Sequence, residues 1–314
     1  MEIIQIPQNY ASLNHPLIYT ATDATPRTFD VQVVESDSGE TVGVKRLIGT
    51  SRASVDVAPY LRSRLFFNFF EPHGTGFVSA AGRTVVSTIQ IDSVRSPLRT
   101  FVPATHDVVP PALLTTLCGS RIIARGECDE LTLCTAIPCV ARVTAYKGAL
   151  ADTTVYTAPH AGFVLFRLDT TTFPGATVIR VQIDEVGSIS YYLTEQTAGC
   201  RLAWRSSAGS VEHYTFPVEK EANDEVKKVC ILTRQGYRAV AVSSERLTTL
   251  ISAYEPQRVL ASLEEILSSP AVWRVDNGIY TPVDVVNDHS GVHRHGTLRN
   301  LEVQLRSQPK TLLP

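Results

Sequence analysis

Apolar and polar residues alternate over short stretches along most of the chain, which is the period of a half-buried β-strand. Residues Phe29 to Val33 follow this alternation, and it resumes at Val42 after the turn residues Ser36-Asp-Ser-Gly39. The pattern predicts a β-hairpin over residues 28–48. Further strands of this segment are expected at Ser54–Val57 and through Val85, Ile89 and Ile91. Together they indicate an antiparallel β-sandwich over residues 1–97, which ends in a linker.

The next hundred residues again show short strand-like runs, without a helical pattern between them. The strand-like runs are Leu131–Cys134, Val140–Val143, Phe163–Phe166, Val178–Ile183 and Ile189–Leu193. Glycine, proline, aspartate and threonine separate them, which favours short connections and antiparallel pairing over β-α-β units. The sequence therefore predicts a second antiparallel β-sandwich over residues 98–197.

The last segment, residues 198–314, combines strands with helices. A hairpin is predicted from Leu202 to Phe216 around the turn Ser206-Ser-Ala-Gly-Ser210. Apolar residues then follow at helical spacing, which predicts one helix before Pro256 and a second helix after it that stops at Pro270. The apolar residues of the first helix are Leu247, Leu250, Ile251 and Tyr254.

The strongest local signal is Asn277-Gly278 between two β-rich runs, because both residues tolerate the positive φ of a tight hairpin turn. A closing strand is expected at Leu301–Leu305. The third domain is therefore predicted to be α+β, and the whole chain to be mainly β.

Length and composition narrow the class of protein. A chain of 314 residues exceeds the usual size of a single core, so we expect three domains. The 29 Lys and Arg against 31 Asp and Glu leave a net charge of -2, which argues against nucleic acid as a partner. No apolar run is long enough for a membrane span, and the first residues lack a signal-peptide pattern, so we expect assembly in the cytoplasm of the producing cell.

Two groups of residues invite a metal interpretation. His289, His293 and His295 could place two imidazoles on one face of a strand, but a polar loop around Ser290-Gly291 explains them better and no further ligand is indicated. Four of the six cysteines, Cys118, Cys128, Cys134 and Cys139, are spaced unlike zinc knuckles. We therefore expect reduced, mostly buried thiols and neither a metal nor any other cofactor.

Catalytic motifs are missing from the sequence. It has no phosphate-binding glycine loop and no nucleophile elbow around a serine. His106-Asp107 and His160 lack a local context that would pair them with a nucleophile. The acidic runs Glu127 to Glu130 and Glu264-Glu265 are interpreted as solvated surface charge. We therefore expect no enzymatic activity.

Four phenylalanines form the least ordinary patch of the first segment: Phe66, Phe67, Phe69 and Phe70. In a strand with one buried face, only alternate residues can point into the core. The run is therefore either a strand buried on both sides or an interface with another domain or subunit.

The last segment combines several features: Trp204, the serine-rich turn, Tyr214, Phe216, the helix that ends in Leu263-Glu-Glu-Ile-Leu-Ser-Ser-Pro270, and Val272-Trp-Arg-Val-Asp276. Together they resemble tail- or baseplate-associated structural proteins encoded by phages and prophages of gut bacteria. The resemblance implies a virion component that assembles in the bacterial cytoplasm. It brings no catalytic residues with it.

Two functions follow as hypotheses. The first is a structural phage-tail protein that contacts other virion proteins and forms homo-oligomers. The second is a carbohydrate-binding or adhesive sandwich, in which Trp204, Trp273 and Tyr191 would contact a host glycan or receptor. Buried aromatic side chains would argue against the second hypothesis.

Overall fold

Four β-sheets carry most of the regular structure of this protein. The computed structural model describes residues 1–67, 69, 74–195, 199–286, 291–306 and 310–312. Within them the chain is mainly β and builds β-sandwich domains followed by a mixed C-terminal unit. This confirms the fold class that the alternating pattern predicts.

The N-terminal sheet has seven strands, with β1, β3, β6, β8 and β2 in that order, β4 beside β3, and β7 beside β6. The elements of this part of the chain are β1 (Glu2–Gln5), β2 (Ala11–Ser12), β3 (Ile18–Glu35), β4 (Thr41–Asp56), α1 (Ala58–Arg62), β5 (Gly76–Val78), β6 (Val85–Ile91), β7 (Val94–Arg95) and β8 (Arg99–Val102). Antiparallel pairing of β3 with β4 confirms the hairpin over residues 28–48. Tyr19 and Phe29, at separate positions along β3, are both fully buried in one core, so the sheet curls around it.

The middle sandwich consists of a four-stranded sheet in the order β5-β14-β11-β9 and a five-stranded sheet in the order β10-β16-β15-β12-β13. Its elements are β9 (Ala112–Leu114), β10 (Ser120–Ala124), β11 (Cys128–Thr135), β12 (Val140–Lys147), β13 (Leu150–Thr157), β14 (Gly162–Asp169), a 3-10 turn (Thr170–Thr172), β15 (Val178–Ile183) and β16 (Gly187–Thr194). Leu133 and Phe166 of one sheet share a core with Ile179 and Val181 of the other. The alternating apolar positions of both sheets thus meet between the layers, as they do in a sandwich.

Strands near residue 97 connect the two units. Although β5 precedes that residue, it pairs with β14 of the middle sandwich. Strand β8 follows it but pairs with β6 of the N-terminal sheet, and β2 pairs with β8 in parallel. The N-terminal sheet therefore extends beyond residue 97 through β8, and the middle sandwich includes β5 from before residue 97.

The C-terminal unit is a nine-stranded sheet in the order β18-β17-β21-β22-β24-β20-β19, with β23 beside β24 and β25 beside β20. Its elements are β17 (Cys200–Arg205), β18 (Val211–Phe216), β19 (Val218–Thr233), β20 (Gly236–Ile251), α2 (Gln257–Leu263), α3 (Glu265–Ser268), β21 (Val272–Asp276), β22 (Ile279–Val285), β23 (Gly291–His295), β24 (Leu298–Arg306) and β25 (Lys310–Leu312). Leu260 of α2 and Ile266 of α3 share one buried core with Trp204 and Val303 of the sheet. The helices therefore cover one face of this unit.

The first of the two predicted C-terminal helices does not exist. Residues Leu247 to Ile251 form the end of β20, which pairs with β24 on one side and β19 on the other. A short apolar run fits the helical and the extended period equally well, and the neighbouring strands decide between them. The second helix is confirmed: α2 begins directly after Pro256, and α3 ends before Pro270. None of the helices in the described part of the chain is long and apolar enough to cross a membrane.

The Asn277-Gly278 hairpin is confirmed. Strands β21 and β22 pair from Val272↔Val283 to Asp276↔Ile279, and the two turn residues have φ values of 49° and 79°. Left-handed φ at both central positions matches the right-handed twist of the strands. This turn therefore specifies its register locally.

We expect Asn277→Ala to lower the free energy of unfolding by about 1 kcal/mol, because a left-handed φ is unfavourable for a residue with Cβ that cannot bond locally. Asn277→Gly is the matched control and should leave stability unchanged or slightly raised. Urea denaturation measures both. Equal stability of the two variants would contradict this account of the turn.

Candidate functional site at the interface of the middle and C-terminal units

Four charged or titratable side chains lie buried where the middle sandwich meets the C-terminal sheet. Arg121 comes from β10 and Asp129 from β11, while Glu212 and His213 are neighbours on β18. Their side chains are at most 6% exposed. We call these four residues the interface cluster.

Arg121 joins the two units. Its Nη1 donates to Asp129 Oδ2 at 2.7 Å, and its Nη2 lies 3.2 Å from Glu212 Oε2. The other carboxylate oxygen of Glu212 accepts the backbone N–H of Thr116 at 3.1 Å and the Ser210 hydroxyl at 2.9 Å. One guanidinium therefore holds a carboxylate from each unit.

His213 adds a second connection. Its Nδ1 lies 3.2 Å from Asp129 Oδ1, and its Nε2 is 2.8 Å from the Tyr280 hydroxyl on β22. A neutral imidazole suits this position, with a proton on Nδ1 facing the carboxylate and a lone pair on Nε2 facing the phenol. The imidazole thus lies between the two groups, with a hydrogen bond to the phenol and a close electrostatic contact with the carboxylate.

Burial sets the protonation of the cluster. It raises the pKa of Glu212 and lowers that of His213, since each loses hydration of its charged form. Burial also opposes charge on Asp129, but the attraction of Arg121 and the contact with His213 outweigh it and hold the pKa of Asp129 below its usual range. At neutral pH, Asp129 and Arg121 are therefore a charged pair, and His213 is neutral.

Glu212 and His213 point to opposite faces of β18, and both faces of this strand are buried. Glu212 and His213 are adjacent, so a strand with one exposed face would bury only one of them. Both are buried because β18 packs against the middle sandwich as well as its own unit. Asp129 is only 3% exposed, so the interpretation of its acidic run as solvated surface charge is wrong at this position.

Aromatic side chains from the N-terminal part of the chain pack against the C-terminal unit beside the interface cluster. Phe69 stacks on Tyr280 with 3.7 Å between ring centroids and meets Trp273 edge-on at 4.9 Å. Arg83 lies over Phe67 and Phe69 at 5.0 and 5.4 Å from their centroids. We call Phe67, Phe69, Arg83, Trp273 and Tyr280 the aromatic clamp, and it joins the chain between α1 and β6 to the C-terminal unit.

The same arginine ties the clamp to the charged interface. Arg83 is 3% exposed, and its Nη2 lies 3.2 Å from Glu130 Oε2 on β11. Burial raises the pKa of Glu130, although Arg83 and Arg167 partly offset this effect. Burial likewise lowers the pKa of Arg83. The ion pair and the cation–π contacts therefore share one desolvated guanidinium.

A pocket of about 490 Å³ lies at the edge of this interface. Arg201 spans it, with Nη1 at 2.9 Å from Glu127 Oε2 and Nη2 donating to the Cys128 carbonyl at 2.6 Å. Tyr280 and the Asn277-Gly278 turn also line the pocket. Arg201 is thus committed to contacts between the C-terminal sheet and the start of β11.

The raised pKa of Tyr280 does not suit its phenol to acid–base chemistry at neutral pH. A nucleophilic or acid–base tyrosine needs a pKa near the working pH. Burial, with a further contribution from Glu130, instead raises the pKa of Tyr280 to about 12. Phe69 also covers its ring. These groups serve to connect strands of different units.

The structure corrects the predicted role of two aromatic residues. Trp204 and Tyr191 are fully buried, so neither side chain can contact a glycan. Trp204 packs in the C-terminal core, and the ring of Tyr191 lies beneath Arg121 of the interface cluster. Trp273, the third predicted aromatic, belongs to the aromatic clamp. Their positions in strands gave no indication of which face each would take.

The phenylalanine run is not a strand. Phe66, Phe67 and Phe69 lie in irregular backbone, and Phe70 is outside the described residues. Phe66 is 49% exposed, whereas Phe67 and Phe69 contact the C-terminal unit. The interpretation as a strand is therefore wrong at these positions. Phe67 and Phe69 are held by side-chain contacts with Trp273 of the C-terminal unit and not by strand pairing.

The candidate metal residues do not come together in the described part of the chain, where no group of three or more His, Cys, Asp or Glu has a geometry suited to a metal. His289 is outside the described residues. His293 and His295 lie on β23, and the ring of His295 is 5.6 Å from that of Tyr254. All six cysteines are free thiols, and three of them are buried.

Comparisons with known proteins find no matching family model and no matching curated protein. The crystal structure of Dpr2 Ig1-Ig2 in complex with DIP-Theta Ig1-Ig3 is 9% identical, with 97% of this chain and 88% of that chain covered and a TM-score of 0.22. The I9-I11 tandem from titin is 8% identical, with coverage of 99% and 96% and a TM-score of 0.17. Likenesses this weak carry no argument about function.

We expect His213 to destabilise the protein as the pH is lowered. The pKa of His213 is lowered in the folded protein, so below about pH 6.5 the unfolded chain takes up this proton before the folded chain does. The free energy of unfolding then falls by up to about 1.4 kcal/mol per pH unit. Glu130 and Glu212 have raised pKa values and act in the opposite direction. The prediction therefore concerns the difference between wild type and His213→Gln.

Urea denaturation at pH 7 and pH 5.5 measures this difference. His213→Gln should lose less stability on acidification than wild type does, whereas the exposed-site control His160→Gln should keep the wild-type pH dependence. Identical pH dependence in all three proteins would contradict a neutral buried His213.

We expect Phe69→Ala to lower the free energy of unfolding by about 2 kcal/mol, less than a fully buried phenylalanine would cost, because Phe69 is only partly buried. The substitution removes the ring that packs against Tyr280, Trp273 and Arg83. Phe67→Ala should have a smaller effect, since its ring is farther from Trp273 at 6.1 Å. Thermal unfolding measures both variants, and an unchanged melting temperature for Phe69→Ala would contradict the clamp.

Proposed function

We propose that this protein is a non-enzymatic structural component of a phage tail or baseplate-like particle and acts by protein–protein assembly. The observation that carries the proposal is the outer part of the β19–β20 hairpin, residues 228–240. We call this segment the arm.

The arm has no strand partner outside itself among the described residues. Strand β24 pairs with β20 over Leu247–Ile251, and β25 pairs with it over Val242–Ser244. Beyond these positions, β19 and β20 pair only with each other in the described chain. A two-stranded hairpin without further packing is marginally stable in water, so the arm favours a role in contact with another molecule.

Apolar side chains of the arm are exposed. Leu232 and Tyr237 are directly opposite each other near the turn and are 72% and 80% exposed, while Val229 and Ile231 are 59% and 48% exposed. Apolar surface of this kind gains roughly 25 cal/mol per Å² on burial. Because neighbouring strand residues point to opposite faces, Leu232 and Tyr237 share one face of the hairpin, and Val229 and Ile231 lie on the other. Exposed apolar surface on such an element typically marks a protein contact.

The base of the hairpin is anchored, so the arm has a defined origin. Arg274 Nη1 donates to Glu219 Oε1 at 2.7 Å, which ties the start of β19 to β21. Strand β21 in turn carries Trp273 of the aromatic clamp. Three units held together in this way, with one projecting element, suit a building block that contacts other virion proteins and further copies of itself.

Carbohydrate binding is the weaker hypothesis. It needs aromatic side chains on an open face, and Trp204 and Tyr191 are both buried. Trp273 is engaged by Phe67 and Phe69. The three aromatics that motivated the hypothesis therefore offer no shared platform.

Co-expression with the products of the genes that flank its own tests the proposal. We expect the chain to migrate with a tail or baseplate protein in a high-mass complex on size-exclusion chromatography. The double variant Leu232→Asp and Tyr237→Asp should leave that complex without a change in its own thermal unfolding, because both side chains are exposed.

A matched control is Ile279→Asp, which changes an exposed apolar residue at another hairpin turn. It should remain in the complex. Complexes that form equally well with the arm variant, or flanking genes that encode no particle proteins, would contradict the proposed function.

A further inference from the structure

We propose that two copies of this chain pair antiparallel along β19, with a two-fold axis at Val226. This inference rests on the proposed assembly function and names a second copy as one partner of the arm. Three independent features support it: the position of β19 in its sheet, the order of charged residues along it, and its regular register.

Strand β19 is the terminal strand of the nine-stranded sheet. It runs over sixteen residues from Val218 to Thr233, and among the described strands it pairs only with β20, at fourteen of these positions. The backbone N–H and C=O groups on its other edge therefore have no ladder partner in the described chain. Such an edge is a template for strand addition unless charge or a bulge prevents it.

The charged residues at the centre of β19 are segregated by sign. Its centre reads Asp224-Glu-Val-Lys-Lys228, with two acids before Val226 and two bases after it. A strand of uniform charge would repel a second copy. In antiparallel pairing about Val226, position 224 comes opposite 228 of the other copy and 225 comes opposite 227, so both acidic positions of this centre are paired with basic ones.

Two-fold symmetry makes this arrangement self-complementary, because each pairing occurs twice. The charge balance of the whole chain agrees with it. Residues 226–244 contain four Lys and Arg and no Asp or Glu, which leaves 25 Lys and Arg against 31 Asp and Glu elsewhere. The basic outer half of the hairpin is therefore attracted to the acidic remainder of a second copy.

The register of β19 is regular where the pairing requires it. Irregularities fall between Glu221 and Asp224 and between Val229 and Cys230, and the residues from 224 to 229 pair with β20 without interruption. A second ladder on the opposite edge can therefore form over the charged centre. Because the two copies run in opposite directions about Val226, the tip of each arm extends toward the base of its partner's hairpin.

Charge exchange tests the pairing. We expect the full-length chain to dimerise in sedimentation velocity at low ionic strength. The variant Asp224→Lys with Glu225→Lys, and separately Lys227→Glu with Lys228→Glu, should each weaken dimerisation at least tenfold. An equimolar mixture of the two variants should restore it, because opposite charges again meet. Thermal unfolding of each variant shows whether the fold is kept.

A thiol at the axis tests the register. In a Cys230→Ser background, Val226→Cys should give a disulfide-linked dimer on mild oxidation, because position 226 is paired with itself across the axis and antiparallel strands bring Cα atoms within disulfide range. Val229→Cys in the same background is the matched control and should not crosslink, since position 229 comes opposite position 223.

A chain that stays monomeric, variants that fail to associate when mixed, or equal crosslinking from positions 226 and 229 would each overturn the inference. The dimer inference and the proposed function can be contradicted by different results. If the chain is monomeric by sedimentation but still enters particles through Leu232 and Tyr237, the second-copy inference is wrong and the assembly role stands.

Discussion

The arrangement of the whole chain depends on one desolvated guanidinium, that of Arg121, which holds Asp129 of the middle sandwich and Glu212 of the C-terminal sheet. Taking such charges out of water costs several kcal/mol per ion, and only close, well-oriented partners offset that cost. Arg121 and Asp129 both belong to the middle sandwich, so a shift of β18 relative to it would leave Glu212 buried without its cation. The interface therefore tolerates one relative position of the two units far better than any other.

The aromatic clamp extends this constraint to the N-terminal part of the chain. Phe69, which lies between α1 and β5, stacks on Tyr280, and the Tyr280 hydroxyl is hydrogen-bonded to His213 of the interface cluster. Stacking, cation–π contact and a buried ion pair thus converge on neighbouring side chains. Because these groups come from three parts of the chain, they resist relative motion of all three units.

The interface buries charged side chains, whereas the arm exposes apolar ones. Charged groups such as Asp129 and Glu212 are buried between units, whereas Leu232 and Tyr237 are exposed on a projecting hairpin. Buried charge gives the interior a defined geometry at a cost in stability, and exposed apolar surface gains free energy only when another molecule covers it. This contrast is what favours an assembly component over a self-contained binding module.

The sequence by itself determined the local elements of this protein. Alternation placed the strands of the middle sandwich, and Asn277-Gly278 specified its own hairpin, because turn geometry and strand period depend on neighbouring residues. Only the tertiary structure decided that Leu247 to Ile251 extend as a strand, that Trp204 and Tyr191 face inward, and that Asp129 is buried. These outcomes depend on partners far away in the sequence, which supply the second ladder, the opposing layer and the compensating charge.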